Sequence, residues 1–495
     1  MEALKGLAPE KVFRFFEELC GIPHGSYHID KISDHLAAFA KERGFSCIQD
    51  KEKNIIVYLP ATEGYEEEPV LILQGHMDMV AVHDDPAVDM KSAPVSVMHD
   101  DAWVFARHSS LGGDDGIAVA YMMAIMDDPS IAHPALELLI TTNEEVGMEG
   151  AVGLDAKLLR GKRLLNLDSE DEGIFTAGCA GGVRVVAALD PAEAVQEETA
   201  VTDGAAKKGG NVEGIVWSVE VNGLQGGHSG QMIHLGRANA NHVLARVLLE
   251  AGDRFSVGLN NFEGGTACNA IPTAARMEIV LPAGKQEAFA DWLEEKEKQL
   301  RHEFRGKDDA LNISAVKGKE GVSVYTPVQT GQAARFLVAE PDGVQAMSGL
   351  VKGLVETSLN CGIVRFEEGR LRAYYELRSM IGSAAMALKD RVVAIAEAFG
   401  ARAEVSASYP EWEYREVSPL REKMISIYRE LYGKEPVVDV IHAGLECGVL
   451  AKKIDGFDAV SIGPDMRDIH TTKERLSIES VRRTWEFLLE ILKRR

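Results

Sequence analysis

The sequence predicts an α/β fold with a mostly parallel central sheet flanked by helices, into which an α+β domain is inserted. In the N-terminal part, short apolar segments alternate with amphipathic helical segments, which is typical of a parallel sheet covered on both faces. Residues 191–213 are small, polar and rich in glycine, so we expect a long loop there. After residues 408–419 the pattern of the N-terminal part returns.

The outer parts of the chain supply the elements of the central sheet. Apolar residues at helical spacing predict helices, and apolar runs of five or so residues predict buried strands. The residues Asp114 and Asp115 stand where either can cap a helix beginning at residue 116. The predicted helices cover 9–20, 30–43, 116–126, 420–432 and 478–494, and the predicted strands cover 54–59, 70–74, 136–142, 163–167 and 458–462.

The middle of the chain follows a different pattern. Short strands with alternating polarity are separated by amphipathic helices, which favours an α+β arrangement. We therefore predict one domain from residues 1–183 and 408–495, and an inserted domain from residues 184–407. The strands of the inserted domain are predicted at 215–221, 275–281 and 371–377, and its helices near 237–251, 285–304 and 383–399.

Composition restricts the class of protein. The 495 residues are 46% hydrophobic and 26% charged, which is ordinary for a globular protein. The net charge of −24 disfavours nucleic acid and anionic membranes as partners. Six scattered cysteines include no Cys-x-x-Cys pair, so we expect reduced thiols. The longest purely apolar run, Ile117 to Met126, is far shorter than the ~20 residues of a membrane span. We expect a cytoplasmic protein.

Histidines and carboxylates follow several of the predicted strands. Open parallel sheets bind ligands at the carboxyl ends of their strands, so we expect these side chains to converge. Imidazole and carboxylate groups bind Zn²⁺ and other divalent ions. Two-metal hydrolases hold their ions ~3.5–4 Å apart, usually with a bridging carboxylate. The predicted ligands are His76, Asp114, Glu145, Asp168 and His470.

Within this set Asp114 is predicted to bridge the two ions. Asp78 lies too close to His76 to be a separate ligand, and we expect it to accept the second N–H of that imidazole. Glu144 then stays free as a general base. Each motif alone has an ordinary explanation, such as a loop hydrogen bond, a helix cap or an acidic surface. Only the combination favours a metal centre.

These motifs resemble those of a known group of enzymes. The chain resembles the dinuclear-zinc aminopeptidases and carboxypeptidases of the glutamate carboxypeptidase-like clan, and is similar to its Xaa-His dipeptidases. The likeness extends over nearly the whole chain. It departs from the family pattern at Asp115, where members often have Asn, and after His470, where Thr-Thr-Lys-Glu replaces Ser-Pro-Asp-Glu. The matching stretches are 75–80, 110–116, 142–148, 166–170, 178–182, 226–230, 264–272, 441–448 and 461–464.

The resemblance implies further roles. It implies two divalent ions, with Zn²⁺ as the first choice and Co²⁺ or Mn²⁺ as alternatives. The inserted domain would be a lid and dimerisation domain, giving a homodimer. His228 would stabilise the carbonyl oxygen, while Asn269 and Arg378 would hold the substrate, Arg378 by its terminal carboxylate. His442 and Glu446 lie in a loop after a strand, where substrate binding and a structural role remain equally open.

The function that these observations favour is metal-dependent hydrolysis of dipeptides, with Xaa-His dipeptides among the candidates. A metal-bridged hydroxide would attack the peptide, and Glu144 would act as the general base. One alternative is an amidohydrolase acting on N-acyl amino acids. Another is a catalytically silent metal-binding protein, but the adjacent Glu144 and Glu145 argue against it, since only catalysis needs an unligated Glu.

Overall fold

A computed structural model describes residues 3–190 and 210–495 and divides the chain into two compact units. The first unit comprises Met1–Cys179, Trp412–Val440 and Leu445–Arg495, and the second comprises Ala180–Glu411 and Ile441–Gly444. Most of the loop predicted at 191–213, namely residues 191–209, lies outside the described residues.

The first unit is built on an eight-stranded sheet. Its four central strands are parallel, and the pairs toward its edges that are described in register are antiparallel. The predicted α/β class is therefore confirmed, with antiparallel strands added at the edges. In order across the sheet the strands are Ser46–Gln49, Ile55–Leu59, Leu136–Thr141, Leu71–His76, Arg163–Asn166, Asp458–Ser461, Ile174–Cys179 and Val437–Ile441.

Helices cover this sheet and bury their apolar sides against it. The helix Gly113–Met126 is buried along its whole length, which explains its almost uninterrupted apolar sequence. Across residues 3–190 and 210–495, no helix is long and apolar enough to cross a membrane. The α-helices of the first unit are Glu10–Cys20, Asp30–Glu42, Gly113–Met126, Glu149–Gly153, Pro419–Tyr432, Glu446–Lys453 and Ile478–Lys493.

Three of the central strands end at the same edge of the sheet. Leu73 lies opposite Leu138 on one side and opposite Leu165 on the other, in parallel register. The residues that follow these strands are therefore neighbours in space, although they are distant in the sequence. A second, four-stranded sheet consists of Met466–Arg467, Arg475–Ser477, Trp103–Ala106 and Val97–His99.

The second unit has a nine-stranded sheet whose neighbouring strands pair in antiparallel fashion. The predicted α+β character of this part agrees with that arrangement. Its α-helices are Ala240–Phe255, Gln286–Glu303, Pro327–Ala339 and Gly382–Ala398. Its strands are Asn312–Val322, Glu213–Asn222, Ala275–Pro282, Gly258–Gly264, Val355–Glu367, Arg370–Ser379, Gly181–Leu189 and Ala401–Tyr409, with Gly343–Met347 beside Val355–Glu367. A separate pair is formed by Gly227–His228 and Ala270–Ile271.

The helix Pro327–Ala339 was not predicted from the sequence. Its apolar and small residues lack a clear amphipathic period. The start of the helix nevertheless carries a local signal, because Thr326 and Gln329 form a capping box and Pro327 occupies the first turn. This combination of residues could have revealed the helix.

Candidate metal centre

His76 ends a central strand and faces two carboxylates. Its Nε2 atom lies 3.1 Å from Oδ1 of Asp114 and 3.6 Å from Oδ1 of Asp168. The imidazole is almost fully buried. Three predicted ligands from separate segments thus meet at the carboxyl edge of the parallel strands.

His470 approaches the same aspartate from the other side. It lies in the turn between Met466–Arg467 and Arg475–Ser477, with a φ of 61°. Its Nε2 atom is 3.1 Å from Oδ2 of Asp114 and 3.0 Å from Oε2 of Glu145. Distant parts of the sequence therefore contribute to one cluster.

Each carboxylate oxygen of Asp114 faces a different histidine. The cluster consequently consists of two sets, one with His76 and Asp168 and the other with His470 and Glu145, which share Asp114. This is the arrangement expected of a carboxylate that bridges two ions. Nitrogen and oxygen donors of this kind suit Zn²⁺ and similar ions. Glu145 Oε1 is buried and has no hydrogen-bond partner among the described residues, so it is free to act as a ligand.

The electrostatics of the cluster favour positive charge. Burial opposes protonation of His76, yet the carboxylates of Asp168 and Asp114 raise its pKa well above the usual value. Burial likewise opposes protonation of His470, but hydrogen bonds to Asp114 and Glu145 raise its pKa to about 11. Burial, together with the charges of Asp114 and Glu145, raises the pKa of Asp168 to about 7 against the opposing effect of His76. A site that stabilises protons so strongly is suited to cations.

Asp115 occupies a different position from Asp114. Its Oδ2 atom accepts the backbone N–H of His76 at 3.2 Å, and it belongs with His76 and Asp168 to a second possible ligand group. The prediction that Asp114 or Asp115 caps the following helix is wrong. Both residues have non-helical backbone angles and turn their carboxylates toward the histidines, and the amide groups there are bound by Glu474 instead.

Asp78 holds His76 in a way that differs in detail from the prediction. The Nδ1 atom of His76 lies 2.9 Å from the backbone carbonyl oxygen of Asp78 and 3.6 Å from its carboxylate. The carboxylate instead accepts the hydroxyl of Ser26 at 2.8 Å and the backbone N–H of Glu144 at 3.0 Å. Asp78 thus links the orientation of His76 to the position of Glu144.

Glu144 directly precedes the predicted ligand Glu145. Burial is the main reason why its pKa is raised well above the usual value, and the nearby charges of Asp168 and Glu446 add to this against the effect of His76. A carboxyl group whose pKa is raised in this way holds a proton more readily than an ordinary glutamate does.

A buried hydrogen-bond network lies close to the cluster and was not predicted. Glu446 Oε2 accepts Gln74 Nε2 and Thr141 Oγ1, each at 2.6 Å. Gln74 Oε1 in turn accepts Asn166 Nδ2 at 2.6 Å, and Asn166 accepts the hydroxyl of Ser461. Glu446 therefore ties neighbouring strands together, while its Oε1 atom is buried without a partner in the described part of the chain. Gln74 and Asn166 are polar residues within apolar strands, a signal that could have revealed the network.

Arg378, His228 and His442 lie together in the second unit. Arg378 is 5% exposed and donates through Nη1 to the hydroxyl of Tyr409 at 2.6 Å. Within residues 3–190 and 210–495, its Nε atom has no partner, and neither has Nδ1 of His442. Burial, together with the charge of Arg378, lowers the pKa of His442 to about 3 and that of His228 to about 4. Both imidazoles are therefore neutral near pH 7.

The environment of His228 defines its tautomer. Its Nδ1 atom accepts the backbone N–H of Gln231 at 3.1 Å, so the neutral ring carries its hydrogen on Nε2. Asn269 is exposed, and its backbone carbonyl accepts the N–H of Ser229 at 2.8 Å, which places Asn269 next to His228 in the chain's fold. His442 bonds Ser358 through Nε2 at 2.7 Å.

A cavity of about 530 Å³ opens beside the cluster in the first unit. Glu145 and Val146 line it together with Tyr27, Met79 and Met90. Its volume lies within the range usual for small-molecule sites.

Several known proteins resemble this chain in sequence and fold. Residues 72–494 match the model of peptidase family M20/M25/M40. The cytosol non-specific dipeptidase of Escherichia coli K12 is 35% identical over 500 residues, covering 100% of this chain and 99% of that protein. The aminoacylhistidine dipeptidase of Vibrio alginolyticus, known from its crystal structure, is 33% identical in sequence. The structures match with a TM-score of 0.84 over 99% of this chain and 97% of that chain. The aminopeptidase PepT from Bacillus cereus, 16% identical with a TM-score of 0.55 and coverage of 98% of both chains, shares the fold.

Proposed function

The chain belongs to peptidase family M20/M25/M40, and from this premise we propose that it is a metal-dependent dipeptidase. The observation that carries the proposal is the position of Asp114, whose two oxygens each lie 3.1 Å from a different histidine. The dipeptidases of Escherichia coli and Vibrio alginolyticus support the substrate class. His76, Asp114, Glu145, Asp168 and His470 would hold the ions.

Two bound divalent cations would polarise the peptide carbonyl and lower the pKa of water toward ~7. Glu144 takes the proton of the attacking water and then delivers it to the leaving amine. Asp78 holds Glu144 and His76 in position relative to each other. Its carboxylate accepts the backbone N–H of Glu144, and its carbonyl oxygen orients the ring of His76. His228 donates its Nε2–H to the carbonyl oxygen as negative charge develops there.

Arg378 is proposed to bind the terminal carboxylate of the substrate. Its buried guanidinium retains a free N–H among the described residues, and the neutral His442 adds an unpaired ring nitrogen. A fork of parallel hydrogen bonds from arginine matches the geometry of a carboxylate. Asn269 would contact the peptide beside His228. For Glu446 the bonds to Gln74 and Thr141 favour a structural role, with its second oxygen available to the substrate.

Replacing Arg378 by lysine is expected to raise KM for dipeptides about 10- to 100-fold, because lysine keeps the charge but loses the fork. Steady-state kinetics on a dipeptide and on its C-terminal amide would measure this, and the amide should be insensitive to the change. Arg184→Lys is the control, since Arg184 pairs with the neighbouring Glu376 at 3.0 Å and is more exposed. An unchanged KM in Arg378→Lys would contradict the proposal.

Zn²⁺ is the ion we propose first, with Co²⁺ and Mn²⁺ as alternatives. Two histidines and three carboxylates suit all three, so geometry alone favours none strongly. Family likeness is what supports Zn²⁺. Metal-free protein reconstituted with each ion, followed by measurement of bound metal and turnover, would rank them.

A substrate panel tests the function itself. We expect protein containing two equivalents of metal to cleave free dipeptides, including substrates with C-terminal histidine, and to leave N-acyl amino acids intact. Preference for the N-acyl compounds would instead indicate an amidohydrolase. Binding of metal without cleavage of either class would indicate a silent metal-binding protein. Chelator-treated enzyme is the control.

We further propose a cytoplasmic homodimer. The name of the Escherichia coli relative supports the location. For the dimer, the support is family likeness and the two outer strands of the nine-stranded sheet, Asn312–Val322 and Ala401–Tyr409, whose residues are largely exposed. Exposed sheet edges are places where a second chain can pair. The molar mass in solution, measured by light scattering, would decide between monomer and dimer.

A further inference from the structure

Glu474 binds the backbone that leads into the bridging aspartate. Its Oε2 atom accepts the N–H groups of Leu111 and Gly112 at 2.7 and 3.1 Å. Its Oε1 atom accepts those of Gly113 and Asp114 at 2.8 and 3.3 Å. The residue is only 3% exposed. One side chain thus satisfies four consecutive amides.

Without Glu474 these amides would need another acceptor. The first N–H groups of a helix have no partner within it, and a carboxylate is favoured there. Asp114 and Asp115 do not serve this purpose. The carboxylate of Asp114 contacts the imidazoles of His76 and His470, and that of Asp115 accepts the backbone N–H of His76. Because Glu474 caps the segment, the carboxylate of Asp114 remains available to both histidines.

Glu474 also ends the turn that carries His470. The backbone N–H of Glu474 donates to the carbonyl oxygen of Thr471 at 3.2 Å. Thr471 in turn donates its hydroxyl to the carbonyl oxygen of Asp468 at 2.6 Å. Glu474 is therefore linked to His470 through a short, hydrogen-bonded turn and to Asp114 through its carboxylate.

We infer that Glu474 is a positioning residue of the metal centre, which fixes the separation of Asp114 and His470. The inference rests on the proposed metal-dependent function. It predicts an unequal effect on the two ions, because His470 and Glu145 belong to one set only. The ion held by that set should depend on Glu474 more than the ion held by His76 and Asp168.

Glu474→Gln tests this inference. The amide group keeps the size of the side chain but offers an N–H where an acceptor is required. We expect the dissociation constant of the ion held by His470 and Glu145 to rise about 10- to 100-fold, as for other residues that support metal ligands. The dissociation constant of the ion held by His76 and Asp168 should rise less. Equilibrium dialysis with metal analysis would measure both, and excess metal should restore kcat with KM changed by less than about twofold.

Glu137→Gln is the matched control. Glu137 is 1% exposed and accepts the backbone N–H groups of Arg160 and Gly161 at 2.9 to 3.0 Å in the same unit. Glu137 therefore resembles Glu474 in its burial and in binding backbone amides. Unlike Glu474, it makes no hydrogen bond to a predicted metal ligand among the described residues. We expect Glu137→Gln to lower the thermal midpoint while both metal affinities stay unchanged.

Several outcomes would overturn the inference. One is wild-type affinity for both ions in Glu474→Gln, which would leave the proposed function intact. Another is an equal loss of affinity in Glu137→Gln, which would indicate general destabilisation. If Glu474→Gln does not fold, Glu474→Asp is the deciding variant, because the shorter side chain cannot reach all four amides. Wild-type affinity for both ions in Glu474→Asp would then contradict the inference. If the wild-type protein bound no metal, the proposed function would fail as well.

Discussion

Replacing Glu144 by glutamine is expected to lower kcat for dipeptide hydrolysis about 10²- to 10⁴-fold while two ions remain bound. Glutamine has nearly the same shape but cannot accept the proton of the attacking water. The hydrogen bond between Glu144 and Asp78 survives, because the backbone N–H of Glu144 makes it. Steady-state kinetics and metal analysis of the same preparation would provide both quantities.

Two further variants make this test specific. Glu149→Gln alters another carboxylate nearby, which bonds Asn143 at 3.2 Å and is exposed, and it should retain activity within about twofold. Glu145→Gln should instead lose one ion, because Glu145 faces His470. Stoichiometric metal with less than a tenfold loss of turnover in Glu144→Gln would contradict the role of general base. Loss of an ion there would make Glu144 a ligand.

The central part of the fold could be predicted because each buried element has a simple apolar pattern. Leu71–His76 and Leu136–Thr141 are buried over their whole length, and each contains a short run of apolar residues, Leu71 to Leu73 in the first and Leu138 to Ile140 in the second. The carboxyl ends of parallel strands lie together. That rule alone brings His76, Glu145 and Asp168 to one edge.

Other features could not be predicted by such rules. His470 was predicted as a ligand because the site needs a second histidine, but its position depends on a turn between two short strands of the small sheet, and neither strand was predicted. The role of Glu474 could not be predicted from the sequence because its partners are backbone amides. Backbone amides are not tied to any residue type, so the sequence does not mark them. The strand Asn312–Val322 is largely exposed at an edge, so it lacks the apolar alternation that marks a half-buried strand.

Asp114 and Asp115 are adjacent carboxylates, and the structure gives them opposite expected responses to substitution. Asp114→Asn should lose affinity for both ions and lower kcat/KM at least about 10³-fold, equivalent to about 4 kcal/mol of transition-state stabilisation. The reason is that each oxygen of Asp114 faces a different histidine at 3.1 Å, and a neutral amide cannot bridge two cations. Equilibrium dialysis and kinetics at saturating metal would measure the loss.

Asp115→Asn is the matched control for this experiment and should keep both ions, with activity within about tenfold of the wild type. Asp115 accepts the N–H of His76 at 3.2 Å, and the carbonyl oxygen of asparagine can do the same. Burial and the charge of Asp168 raise the pKa of Asp115 well above its usual value, so a neutral side chain suits this position. Loss of both ions in Asp115→Asn, with retention in Asp114→Asn, would transfer the bridging role to Asp115. Equal losses in the two variants would instead mean that the pair acts as one unit, since both carboxylates then support the same two ions.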